Sequence, residues 1–303
     1  MDKKLTRFDI MVALSFIFSL VVGVGAFFFG LQTGKDQTDA QYQTLIAALT
    51  DEQSQNEVSY HQQQLVSFYH TVLLPFREFQ DTWFEHAETI EAASGSTDAD
   101  ALLRELGRLA REQAETIRPT TIPEVSPLLR DAQANYLRAL TLFAEATDRL
   151  EGGAEGAALA ETMRQDPYVA EASSFALKAQ AQYYEAIWEW NLRQSSEPPG
   201  AAAIAKGNLT FDEWRGLNLN GKNLVIARLL QASGTFVPYY PQDVSARIDD
   251  LDEAGQVGQL KLSDIRSSVE MLMTTGAVRP GDYFRSKNKH YRNETLPQLP
   301  FFY

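Results

Sequence analysis

The side chains able to do chemistry are few, and their spacing works against it. The four histidines are His61, His70, His86 and His290. A di-iron site in a helical bundle needs inward carboxylates and Glu-x-x-His pairs. The residues three places before these histidines are Val58, Ser67, Trp83 and Lys287, so the pattern fails at each. No His-Glu-x-x-His zinc motif occurs. Cysteine is absent, which removes thiolate chemistry and disulfides together. There is no Gly-x-Ser-x-Gly nucleophile elbow, Walker-type phosphate loop or dinucleotide fingerprint.

Two acidic groupings remain. Glu185 and Glu189 lie four apart, flanking Trp188. Paired carboxylates beside an aromatic are the raw material of glycoside hydrolysis. The same spacing is also the ordinary solvated face of a helix, which is the expectation here. The run from Asp249 through Asp250, Asp252 and Glu253 to Asp264 resembles a degenerate calcium loop of the EF-hand kind. Opened at Asp250, it has Ala254 in the fifth place and Lys261 in the twelfth, and Lys cannot be a bidentate ligand. Opened at Glu253, it loses two oxygen donors to Gly255 and Val257. An acidic helix end followed by a turn is expected instead. No catalytic, cofactor-binding or metal-ligating residue is therefore assigned, and no cofactor is expected. The aromatic set Phe76, Phe79, Trp83, Tyr136, Phe143, Tyr184 and Trp188 could frame a pocket between helices; core packing is the expectation for it.

These side chains sit on helical sequence. From Gln37 to Arg193, Gly and Pro are sparse, while Ala, Leu, Glu, Gln and Arg are frequent. Val66, Tyr69, Leu73, Phe76, Phe79 and Trp83 recur at three- and four-residue spacing, the stripe of one helix face. Pro75 interrupts that stripe and should kink or divide the helix. Gly95-Ser96 marks a turn, with Thr97 and Asp100 as a cap. The next helix runs through Leu102, Leu103, Leu106 and Leu109 to about Ile117. Ser126-Pro127 and Asp166-Pro167 are start signals. The helices they open carry Leu129, Tyr136, Leu140 and Phe143, then Val169, Leu177, Tyr184 and Ile187. Four amphipathic helices joined by short turns predict an all-α fold, an antiparallel helical bundle over 36–195. Pro198-Pro199-Gly200 and the Ala-rich stretch after it read as a linker, 196–208. A smaller helical unit follows over 209–278, opened by the capping box Thr210-Phe211-Asp212-Glu213. Further helices are expected near 223–231, 242–251 and 263–274. Pro238-Tyr239-Tyr240-Pro241 forms an aromatic corner. Residues 279–303 read as an extended, basic and aromatic tail.

What carries this body is written at the N-terminus. From Ile10 to Leu31 there is no charge and no Pro, and about 20 apolar residues suffice to span a bilayer. Lys3, Lys4 and Arg7 precede the run, and Lys35 is the one base close behind it. That asymmetry predicts a short cytoplasmic segment, 1–9, a signal-anchor helix over 10–31, and an extracytoplasmic remainder. The alternative is a cleaved signal peptide, with cleavage after Ala26; the continuation through Phe27, Phe28 and Phe29 argues for the anchor. Gly30 and Gly34 have the spacing that permits close helix approach in a membrane.

Net charge is −13, and the stretch from Asp36 to Glu197 alone carries about −16, a surface that repels nucleic acid and anionic headgroups. The partners expected are thus the bilayer, through 10–31, and proteins of the cell envelope, with no nucleic acid. The functional expectation is a non-enzymatic scaffold, adaptor or assembly component of the envelope. The alternative is an extracytoplasmic sensory or ligand-binding bundle signalling through a membrane partner. A wall-acting hydrolase is a third reading, without a motif to support it.

Overall fold

The structure is a computed structural model and describes residues 60–92, 98–194 and 200–303, which lie within one compact unit. Every regular element among them is helical. No helix among the described residues is long and apolar enough to cross a membrane. The span expected at 10–31 lies outside them, as do Gly95, Ser96, Thr97 and the Pro-rich part of the expected linker.

The bundle begins with α1 (Gln62–Phe68), a π-helical turn (Tyr69–Leu73) and α2 (Leu74–Ala92). Pro75 explains the turn. Its ring crowds the carbonyl four residues back and it has no N–H to donate. Widening the helix by one residue relieves both problems, and the Leu74 N–H bonds to the Tyr69 carbonyl, five residues back. The expected stripe is kept across this defect: Tyr69, Leu73, Phe76, Phe79 and Trp83 are all buried.

Helix α3 (Ala99–Ile117) is capped by Asp98, whose carboxylate accepts the Ala101 N–H at 2.9 Å. Helix α4 (Pro127–Leu150) starts with Pro at its first position, as the sequence predicts. The Ser126 hydroxyl is turned toward α1, where it donates to Gln64 Oε1 at 3.1 Å. The Ala-rich segment forms α5 (Gly156–Gln165), packed on α2. Helix α6 (Pro167–Gln194) begins where Asp166 accepts the N–H groups of Tyr168 and Val169. The most extensive helix–helix contact is between α4 and α6. Both carry buried alanines at seven-residue spacing: Ala132, Ala139 and Ala146 on one, Ala172, Ala179 and Ala186 on the other. That period matches a left-handed helix pair, and small side chains let two backbones come close.

The C-terminal part packs on this bundle through α6. A short α7 (Ala201–Ile204) precedes α8 (Phe211–Arg215), whose capping box is fully formed between Thr210 and Glu213. Helix α9 (Leu219–Ser233) is buried on almost every side, because it lies against α6, α10 (Pro241–Glu253) and α12 (Ile265–Thr275). A single turn, α11 (Gln256–Gln259), follows α10. The region read as an extended tail contains a helix, α13 (Asp282–His290), and a 3-10 turn (Pro300–Phe302). Helix α13 carries few apolar residues, so its pattern is faint. It is held by tertiary contact with α10: Tyr283 is fully buried, and its N–H donates to Asp243 at 3.0 Å.

The last aromatics turn inward. Phe301 lies among Tyr69, Tyr183, Tyr184 and Tyr240, at ring-centroid distances of 5.2 to 6.4 Å. The Gln242 side-chain amide donates to the Phe301 carbonyl and the Tyr283 hydroxyl to the Phe302 carbonyl. The C-terminus therefore ties the second part of the chain to the first.

Candidate functional site

The acidic run of α10 resolves into separate contacts. Asp249 is 8% exposed and binds Lys222, also 8% exposed, with Nζ at 2.9 and 2.8 Å from its two oxygens. Trp214 Nε1 donates to the same carboxylate at 2.7 Å, and so does the Tyr291 hydroxyl. The Lys222 ammonium also lies 5.3 Å from the centre of the Trp214 ring. Burial, together with the Asp249 charge, pushes the Tyr291 phenol well above its ordinary range, so it stays a donor. Asp252 takes two bonds from Arg215, both 2.7 Å. Asp264 caps α12 by accepting the Ser267 N–H. Because 249–253 is helix and 256–259 is a further helical turn, these carboxylates do not converge as a calcium loop requires.

One convergence does occur. Ligand atoms of Asp250, Glu253 and His290 lie within 4.8 Å of one another. His290 Nε2 is 2.9 Å from Asp250 Oδ1. A cation is already present among them: Lys289 Nζ is 3.3 Å from Asp250 Oδ1 and 2.5 Å from Glu253 Oε2. The Ser286 hydroxyl occupies the other Asp250 oxygen at 2.8 Å. The cluster is thus closed on itself, and it pins α13 to α10. Of the other histidines, His86 faces Glu105 at 3.5 Å, and the His70 and Tyr69 rings meet edge to face with centroids 4.9 Å apart. Glu185 is paired with Arg228 at 2.9 Å.

The most distinctive site is a small cavity under the aromatic corner. The π-turn and α2 supply Leu73, Phe76, Arg77 and Gln80 to its wall; α4 supplies Tyr136; α6 supplies Gln180, Tyr183 and Tyr184; and Phe236 and Tyr240 close it. Its volume is about 10 Å³, room for one water-sized particle. Arg77 is 7% exposed. Its Nη1 donates to Gln80 Oε1 at 3.1 Å, and its Nη2 to the Pro238 carbonyl and Asp81 Oδ1, both at 3.3 Å. The guanidinium carbon lies over Tyr240, 4.0 Å from the ring centre. Gln80 in turn donates to the Val237 carbonyl at 2.6 Å, so the corner 237–240 is clasped by α2. Two buried donors on this wall have no acceptor: Arg77 Nε and Gln180 Nε2. Burial pushes the Tyr136 phenol far up, against the pull of Arg77, and pushes Tyr240 up to about 12. These phenols stay neutral, so neither supplies a counter-charge to Arg77.

The aromatic set of the sequence divides here. Phe76, Tyr136 and Tyr184 line the cavity. Phe79, Trp83 and Phe143 pack on one another as core, with centroids 4.7 to 6.1 Å apart. Trp188 lies against α9 at Gly221, where an added Cβ would be 3.1 Å from its ring. The polar members, Arg77, Gln80 and Gln180, escape a reading based on aromatics. The available signal was Arg77 itself, a charge on the buried face at i, i+3, i+4 and i+7 with Leu73, Phe76 and Gln80.

Fold and sites together define an all-α helical-bundle protein with a buried ion pair and a donor-lined aromatic cavity. No known protein family, curated protein or solved structure matches the chain.

Proposed function

We propose that this chain is a single-pass membrane protein, spanning the bilayer through 10–31 with its N-terminus in the cytoplasm. On this reading its helical body works outside the membrane as a non-enzymatic scaffold, adaptor or assembly component of the cell envelope. The observation that carries the proposal is the uncharged run from Ile10 to Leu31, basic only on its N-terminal side, placed ahead of a compact helical body. The body's surface suits protein contact better than lipid or nucleic acid contact. Its exposed ion pairs, such as Arg108 with Glu112 and Arg164 with both Glu91 and Glu161, sit in an acidic surround. A pull-down from detergent-solubilised membranes tests the scaffold role. Recovery of a stoichiometric envelope protein is expected; recovery of this chain alone counts against it.

The cavity favours a second reading, a ligand-binding bundle that signals through a membrane partner. Buried donors without acceptors are what a preformed binding site presents. A thermal-shift screen against small metabolites at fixed salt tests this reading: stabilisation by one metabolite class supports it, and no stabilisation by any class counts against it.

A further inference from the structure

We propose that the cavity under Tyr240 binds a monatomic anion, chloride in ordinary salt, held by Arg77 Nε–H and a Gln180 amide N–H. This holds whether the body is a scaffold or a sensor, because it rests on the cavity alone.

Four observations lead to it. Arg77 and Gln180 line the same cavity, and each brings a buried donor with no partner. Leaving such donors unsatisfied costs about 1–3 kcal/mol each, so an occupant is expected. Both open groups are donors, and no lining residue presents a buried acceptor without a partner. Gln80 Oε1 already accepts from Arg77, and the Tyr183 and Tyr184 hydroxyls are engaged with the Leu65 carbonyl and Gln242 Oε1. A halide accepts from both N–H groups and brings no O–H of its own to place, whereas a water must also find acceptors. The volume of about 10 Å³ suits a small ligand such as a single-atom ion. Finally, the charge is under-compensated. The carboxylate paired with Arg77 is Asp81, 3.3 Å from Nη2 with a side chain 63% exposed, so it meets the guanidinium from the solvent side and leaves Nε bare. An anion inside the low-dielectric wall would neutralise Arg77 far better.

The test is diffraction from crystals of the full chain in detergent, grown with sodium bromide in place of chloride and measured at the bromine absorption edge. An anomalous peak in the cavity beside Arg77 Nε is the expected result. Density of water weight without anomalous signal, or an empty cavity, overturns the proposal, even if bromide is found on the surface. Thermal unfolding gives a second readout. At equal ionic strength, replacing gluconate by chloride at about ten times Kd should raise Tm by roughly 3–6 °C. The rise should vanish in Arg77→Gln and persist in Arg108→Gln, which lies on the exposed face of α3. Equal Tm in chloride and gluconate for the wild-type chain overturns the proposal without relying on either variant.

Discussion

Replacing Lys222 by Met removes the counter-charge of Asp249 while keeping most of the stem that fills the space between Trp214 and Tyr291. In the folded protein Asp249 would retain the bonds from Trp214 Nε1 and the Tyr291 hydroxyl and lose both from Lys222 Nζ. Both partners are at least nine-tenths buried, so solvent cannot replace the ammonium. Breaking such a pair from one side costs about 3–5 kcal/mol. For a unit of this size each kcal/mol lowers Tm by roughly 2–4 °C, so a fall of about 6–20 °C is expected. The assay is thermal unfolding of the full chain in detergent, followed by far-UV circular dichroism. The double variant Lys222→Met with Asp249→Asn should recover much of the loss. Asn leaves no uncompensated charge and keeps an acceptor for Trp214. A loss below about 1 kcal/mol for Lys222→Met, the range of exposed pairs, would show that the pair behaves as a solvated one. So would a double variant as unstable as the two single losses added together.

Gly107→Ala places a Cβ 2.6 Å from Thr147 Oγ1, which is itself buried and bonded to the Ala144 carbonyl. Forcing α3 off α4 should cost about 1–3 kcal/mol, read from urea unfolding. Phe301→Ala empties a site walled by four tyrosines, and a loss of about 3–5 kcal/mol is expected by the same method. Glu213 is held down to about 2 by its bond from Lys206 and by the Thr210 N–H in the capping box. Its folded value is depressed, so its contribution is fully present above the ordinary glutamate range, near 4.5, and is lost as pH falls from there toward about 2. Glu213→Gln should flatten that part of the stability–pH profile; an unchanged slope would show that Glu213 is not the titrating group behind it.

Much of the architecture was legible because it rests on local rules. Pro127 and Pro167 at first helical positions, the Thr210–Glu213 box and the Tyr69-to-Trp83 stripe each stand where backbone chemistry places them. Pro75 announced a defect, although only the fold shows that a π-turn absorbs it without breaking the stripe. Helix α13 was not legible. Its single large buried apolar residue is Tyr283, and its stability comes from Asp243 and Asp250, about 40 residues earlier in the chain. The acidic run of α10 misled for a related reason. Spacing along the sequence suggested one site, but helical geometry sends Asp249, Asp250 and Asp252 to three different partners. The donor-lined cavity joins residues from three helices and a corner, and no periodicity can register such a meeting.

Display of the helical body outside the membrane by the segment 10–31, as proposed, can be measured directly by thiol labelling. The chain has no cysteine, so a single introduced thiol is unique. Lys3→Cys marks the N-terminal segment, and Glu115→Cys marks an exposed position on α3. Each variant is treated with a membrane-impermeant maleimide while the cytoplasmic membrane is intact, and again after lysis. Labelling of Glu115→Cys in both conditions and of Lys3→Cys only after lysis is expected. Protection of Glu115→Cys until lysis, or labelling of Lys3→Cys on intact membranes, would contradict that placement.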